Sequence, residues 1–304
     1  MKVLISGGSG FIGSALSRSL LMDGHHVFVL TRDPRRTHLP GGVQAVQWNG
    51  RTSEGWLDVF SQADAVVNLA GATIGLPFWT TKRKAILVGS RVGAGQAISQ
   101  AFQQTAQQGQ KKPGVLVQAS GVGYYGVHDE KTLLDESAPP GDDFLASLAV
   151  DWEASTKPIE ALGVRRAVIR TAIVLGHKGI LPLMALPVHM FAGGPVGDGR
   201  QGTSWIHIDD QVRAIRFLIE NEAAHGAYNL AAPQPLSNAN FMRALAKALH
   251  RPSWLPAPAF AFRAAFGEMS TLFLEGQFAI PKRLLDEGFR FKFKTALEAF
   301  EDLF

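Results

Sequence analysis

The chain contains no cysteine, which excludes disulfide bonds, thiolate catalysis and cysteine-ligated zinc and suits a reducing compartment. It also lacks an uninterrupted apolar run of membrane length. The longest apolar stretch, residues 180–196, is broken by Pro182, Pro187, His189, Gly193, Gly194 and Pro195, so it reads as a substrate-side segment and no membrane association is expected. A strong charge of either sign is missing too. Thirty basic residues against 26 acidic ones leave a formal +4, and outside Arg32, Arg35 and Arg36 the cations are scattered without interleaved aromatics. Nucleic-acid binding is therefore not expected. The first strand-like run begins at Lys2, ahead of which no signal or transit segment is expected, and a cytoplasmic location is the default.

Tyrosine is scarce: there are three, Tyr124, Tyr125 and Tyr228. Asp209 and Asp210 are adjacent carboxylates without a nearby histidine pattern, which reads as a cap on a helix over 211–220 and not as a metal site. No metal is expected.

What the chain does have is the size for a full core. It has 304 residues, 46% hydrophobic and 18% charged, the composition of a globular protein. Its most informative segment is Ser6-Gly7-Gly8-Ser9-Gly10-Phe11-Ile12-Gly13. The apolar run Val3-Leu4-Ile5 precedes it and a helix-like stretch, 14–21, follows. A strand, a glycine turn and a helix start make a dinucleotide site: Gly7 for the tight turn, Gly10 for close approach of a pyrophosphate, Gly13 for helix packing. Free N–H groups at the helix start face the anion.

The second strand, 26–30, ends in Thr31-Arg32 where a carboxylate would hold the ribose of NAD. Arg32 offers a planar fork of donors to a 2′-phosphate, with Arg35 and Arg36 nearby, which favours NADP(H) over NAD(H). The plain alternative is a solvated basic cluster. Asp33 falls beyond the strand end.

Further strands are expected at 43–47, 65–69, 114–119, 165–174 and 227–231, and helices from Thr80 or Thr81 to about 104 and over 144–162, 238–249 and 295–303. The alternation predicts an α/β fold, a Rossmann-type doubly wound parallel sheet with a smaller C-terminal substrate lobe. The cofactor domain is expected over 1–175, completed by about 205–232, and the lobe over 176–204 and 233–304.

Gly7-x-x-Gly10-x-x-Gly13, the segments 64–71 (DAVVNLAG) and 120–126 (SGVGYYG), and 205–210 (WIHIDD) resemble the extended short-chain dehydrogenase/reductase superfamily, the fold of nucleotide-sugar epimerases. Phe78-Trp79, Gly89-Ser90-Arg91, Asp151-Trp152-Glu153, the segment 193–199 and 280–283 (IPKR) are similar to its atypical epimerase-like subgroup, part of the NAD-dependent epimerase/dehydratase superfamily, including a C-terminal domain of its own. The resemblance implies Gly7, Gly10, Phe11, Ile12 and Gly13 at the pyrophosphate, Thr31 and Arg32 at the adenosine phosphate, Leu69 and Ala70 beside the adenosine, and Arg91 as a further contact. Val174, near the nicotinamide, is equally readable as core.

A standard member needs a tyrosine and a lysine four residues later. The segment that should carry them, 143–153, has neither. Tyr124 or Tyr125, in the loop after the fifth strand, and Ser120 beside them are the replacement catalytic candidates, each with packing as the plain alternative. Without a neighbouring lysine a phenol of ordinary pKa about 10 remains a proton donor, which favours carbonyl or imine reduction over epimerisation, unless Lys84 or Lys157 folds back into the site. His207, between two isoleucines, reads as structural more than as a base. Residues 193–199 with Arg200 fit a phosphate loop for a nucleotide-sugar or a turn linking the lobes equally.

The resemblance thus leaves three readings: an NADP(H)-dependent oxidoreductase acting on a small polar substrate, a non-catalytic NADP(H)-dependent regulator, for example in cell division, where some relatives carry an inhibitor's name, or a nucleotide-sugar binder. Pairing of helices into a homodimer is a weaker implication.

Overall fold

The computed structural model describes residues 1–35, 37–75, 78–129 and 132–304; Arg36 lies outside the described residues. Seven parallel strands form the central sheet: β1 (Lys2–Ser6), β2 (His26–Thr31), β3 (Gln44–Gln47), β4 (Ala65–Asn68), β5 (Val115–Gly121), β7 (Arg165–Thr171) and β11 (Gly226–Leu230), in the order β11-β7-β5-β4-β1-β2-β3. The strands are near-continuous apolar runs because helices cover both faces. Val3, Ile5, Val117 and Ile169 pack on one side with Leu16 and Ile215, and Leu4, Val66 and Leu116 on the other with Ile98 and Phe102.

On the first face lie α1 (Phe11–Met22) and α6 (Ile208–Glu220), and on the second α2 (Leu57–Gln62), α3 (Thr81–Gln107) and α4 (Phe144–Ala154). Thr80 caps α3 by accepting a hydrogen bond from the Arg83 N–H. The strand order reverses direction at β1, between β2 and β4. Reversal opens a crevice at the carboxyl ends of these strands.

Three expectations are corrected. The helix over 144–162 stops at Ala154 and resumes as a 3-10 turn, Lys157–Leu162, with Pro158 in its first turn, a residue that cannot continue an α-helical ladder. The strand over 165–174 breaks at Ala172. Its N–H donates to Leu230 O, the Ile173 N–H donates to Ser204 O, and β8 (Ile173–Leu175) leaves the sheet to pair with β10 (Trp205–His207). The helix at 211–220 starts earlier, at Ile208, and His207 caps it in place of Asp209 or Asp210. Asp210 instead accepts backbone N–H bonds from Lys292 and Phe293.

The remaining elements build the C-terminal region: α5 (Leu181–His189), α7 (Asn238–Ala248), α8 (Ala259–Phe266), α9 (Thr271–Leu274), α10 (Lys282–Asp286) and α11 (Ala296–Leu303). The pair of β6 (Leu133–Leu134) with β13 (Phe278–Ala279) ties it to the sheet domain, and β9 (Gly202–Thr203) pairs with β12 (Leu236–Ser237) within it. Phe241, Leu245, Phe300 and Leu303 form its core with Trp205.

The His207 cap has a pH consequence. Its ring is 2% exposed, and Nδ1 accepts the Asp209 N–H at 3.1 Å, which requires a neutral imidazole. Burial lowers its pKa below the ordinary 6.5, against the opposing pull of Asp209, Asp302 and Asp210. Below 6.5 the unfolded chain takes up a proton that the folded one resists, so stability falls as pH drops through that value towards the folded pKa. Melting temperatures should therefore fall as pH drops from about 7.5 towards 5.5, and His207→Asn, a capping residue that does not titrate, should flatten that portion.

Candidate cofactor and substrate site

The glycine turn between β1 and α1 is shaped by contact. Gly7 has φ +71°, and a Cβ there would lie 2.5 Å from Leu69 O, while one on Gly13 would lie 2.5 Å from Gly7 O. These two glycines let the turn press against the end of β4 and the helix press against the turn. Gly10 differs. Its φ is −73°, it is exposed, and an added Cβ would meet only Gly7 O, at 3.2 Å. The fold makes a weak demand for glycine there, whereas a ligand laid against the backbone makes a strong one. The Ser14 N–H is bonded to Gly10 O, so the N–H groups of Phe11, Ile12 and Gly13 precede the helical ladder. The Phe11 ring packs under Gly176 and Gly179 of the loop after β8, closing that end of the crevice.

At the end of β2, Thr31 is buried and its hydroxyl is paired with Thr37 at 2.7 Å. Arg32 and Arg35 are exposed and line a recess with Asp33, Pro34 and Gln47. The Asp33 carboxylate accepts the Arg35 N–H at 3.1 Å in its own turn.

Leu69 and Ala70 follow β4, half-buried. Beside them is Arg91 of α3, 9% exposed. Its guanidinium donates to Ala72 O at 3.1 Å and Leu87 O at 3.3 Å and lies 5.0 Å from the Trp152 ring. Among the described residues no carboxylate pairs with it. Burial, with the nearby Arg83 charge, brings its pKa down to about 10, so it stays cationic at neutral pH. A buried cation with only neutral carbonyl partners is suited to an anionic ligand. Val174 is half-buried and pairs in register with Ile206.

The end of β5 holds a network that sequence reasoning missed. The Ser120 hydroxyl donates to Glu153 at 2.8 Å, and Glu153 receives two bonds from Arg170, at 2.9 and 3.1 Å. Arg170 also donates to the Tyr125 hydroxyl at 3.1 Å, and that hydroxyl donates to Asn229 at 2.7 Å. Burial alone would lower the Arg170 pKa, but Glu153 and then Tyr125 outweigh it and hold it above the usual arginine value.

Tyr125 is fully buried, and burial pushes its phenol up to about 12 against the opposing Arg170 charge. Of the three catalytic candidates, Ser120 and Tyr125 are thus bound into the scaffold. The Tyr125 phenol does not project towards the crevice, because Asn229 and Arg170 hold it inside. Tyr124 is half-buried, its ring lies 3.4 Å from the Arg170 guanidinium carbon, and no described residue hydrogen-bonds its hydroxyl.

A model of the NAD dependent epimerase/dehydratase family matches residues 3–231, and one of a domain of unknown function, DUF1731, matches 257–303. The chain belongs to this epimerase family. The epimerase family protein YfhF of Bacillus subtilis is 41% identical over 295 residues, 96% of this chain and 94% of the relative. The chloroplastic SDR39U1 homolog of Arabidopsis thaliana is 38% identical over 98% of this chain and 85% of its own length. The human epimerase family protein SDR39U1 (isoform 2), crystallised with NADPH, matches with a TM-score of 0.87 and 32% identity, covering 100% of this chain and 99% of that one.

In this member of the epimerase family, the start of α4, where the tyrosine and lysine are missing, presents Phe144 and Leu145 to an apolar cluster with Trp79 and Met269. Of the two lysines considered as substitutes, Lys84 is paired with Glu268 at 2.6 Å, and Lys157 is exposed at the start of the 3-10 turn. Within 193–199, Gly194 sits against Leu255 and Gly199 against Ala239. Among the described residues no helix is long and apolar enough to cross a membrane.

Proposed function

We propose that this chain binds NADP(H) along the crevice at the carboxyl ends of β1, β2 and β4 and serves the reduction of a small carbonyl or imine compound. The observation that carries the cofactor choice is the end of β2, where Arg32 and Arg35 line a recess and the Asp33 carboxylate turns to its own backbone. The glycine turn and the first N–H groups of α1 would take the pyrophosphate, with Phe11, Ile12 and Gly13 in contact. Arg32 would meet the 2′-phosphate beside Thr31. Leu69 and Ala70 would flank the adenosine, and Arg91 would supply positive charge where the chain offers no carboxylate of its own. Val174 would border the nicotinamide. Residues 1–175 with about 205–232 would hold the cofactor, and 176–204 with 233–304 would face the substrate.

NADPH held there would supply a hydride. The chain must then deliver a proton to the substrate oxygen or nitrogen. Ser120 has its proton committed to Glu153 and Tyr125 is enclosed, which leaves the Tyr124 phenol. A neutral phenol gives a proton readily but takes none at neutral pH, so reduction is favoured over an epimerisation that begins by deprotonating an alcohol. Tyr124→Phe should cut NADPH oxidation by carbonyl substrates about 100-fold or more while leaving NADPH affinity intact, as read by nicotinamide fluorescence. An unchanged rate would remove Tyr124 from the mechanism. The enclosure of Ser120 and Tyr125 also favours a second reading, an NADP(H)-dependent regulator, and tight NADPH binding with no oxidation by any carbonyl or imine compound would select it.

A further inference from the structure

We propose that the substrate of this site has an apolar body, an aryl or long-alkyl carbonyl compound, and is not a nucleoside diphosphate sugar. The inference rests on the cofactor reading above and departs from the polar substrate that the resemblance implies. It follows from what surrounds the carboxyl ends of β4 and β5. Ala72, which accepts a hydrogen bond from Arg91 just beyond β4, belongs to an apolar cluster. Leu145 of the same cluster packs over Gly123, just beyond β5; a Cβ on that glycine would lie 3.3 Å from Leu145 Cβ. The cluster therefore borders the crevice, at the edge of the sheet where ligands of open α/β folds bind.

From the sheet domain it takes Trp79, Phe144 and Leu145, and from the C-terminal region Phe266, Met269 and Phe273. On the sheet-domain side Trp79 and Phe144 lie ring to ring, 5.4 Å apart, and Phe266, Met269 and Phe273 pack in the same cluster. Phe266 and Phe273 lie 5.4 Å from each other and belong to a trio with Phe262.

The C-terminal side of this wall is incompletely covered. α8 and α9 contain no fully buried residue, and all three rings of the trio are half-buried. Half-covered aromatic surface beside a reaction crevice is what an apolar ligand would finish burying. A sugar diphosphate needs the reverse, uncommitted cations, and most of those nearby are engaged. Lys84 is paired with Glu268 and lies 4.7 Å from the Phe144 ring centre. Arg83 donates to Thr73 O, and Arg170 is bound to Glu153. Arg91 serves the cofactor side, and Arg263 on α8 is exposed.

The test is equilibrium titration of the NADP⁺-loaded protein with 2-naphthaldehyde and with UDP-glucose. Naphthaldehyde should bind at least about tenfold more tightly, and Phe273→Ser and Phe266→Ser should each weaken it about tenfold, the scale of one aromatic side chain's burial. NADPH affinity should stay within about twofold in both variants, which shows that they fold. Tighter binding of UDP-glucose, above all if Arg263→Ala abolishes it, would overturn the proposal, as would naphthaldehyde affinity that neither variant changes. Should the protein fail to bind NADPH at all, the cofactor reading falls, and the same titrations on the unloaded protein still decide the substrate class.

Discussion

Arg32→Ala should raise the dissociation constant for NADPH about 10- to 100-fold and leave that for NADH within about twofold. The factor is the loss of charge-assisted hydrogen bonds worth about 1.5–3 kcal/mol, which only the 2′-phosphate receives. Arg32 is exposed, so salt should narrow the gap between the two cofactors in the wild type and have little further effect in the variant. Arg32→Asp should go further and favour NADH, because a carboxylate at the end of β2 repels the phosphate and accepts from the ribose hydroxyl. Fluorescence titrations with both nucleotides check these outcomes. Equal loss for NADH and NADPH would mean that Arg32 acts through the fold of its loop.

The second large effect is on stability. Glu153→Ala leaves Arg170, 5% exposed, without its carboxylate and should cost about 3–5 kcal/mol, the usual price of stranding one member of a buried ion pair. Glu153→Gln should cost less, since an amide oxygen still accepts from Arg170. The double change Glu153→Leu with Arg170→Met should recover much of the loss by removing both charges together. Denaturant midpoints measure all three. A single and a double variant equally destabilised would show that Arg170 acts mainly through its stacking on Tyr124 and its bond to Tyr125.

These two sites also mark where sequence reasoning reaches and where it stops. The glycine turn and the end of β2 are local. Gly7, Gly10 and Gly13 fall within one turn and the first helical residues, and Arg32 directly follows a strand whose apolar run announces it, so chain spacing places them without knowledge of the fold. The β5 network is not local. Ser120 meets Glu153 from 33 residues away, and Tyr125 meets Asn229 from 104 away. One signal was present: Arg170 follows the apolar run Ala167-Val168-Ile169 inside a strand, and a charge buried at that position demands a partner. Glu153 and Tyr125 are what it found. The split of 165–174 was invisible for a related reason, because Ala172 and Ile173 look like any strand residues and only their bonding partners, Leu230 and Ser204, reveal that the chain changes sheets there.

The edge of the sheet at β11 carries an implication for how the polypeptide emerges during synthesis. Asn229, fully buried, donates through its side chain to Leu134 O and Ile280 O. Glu136 accepts from the backbone of both Asn229 and Arg283, and Ile280 N–H closes the loop on Leu134 O. An exposed nascent chain that had reached only the end of β11 would hold these polar groups half-satisfied, with nothing yet available to cover them. The two segments matched by separate family models are therefore interlocked: the hydrogen bonds that seal the last strand of the sheet are complete only once residues 278–283 are in place.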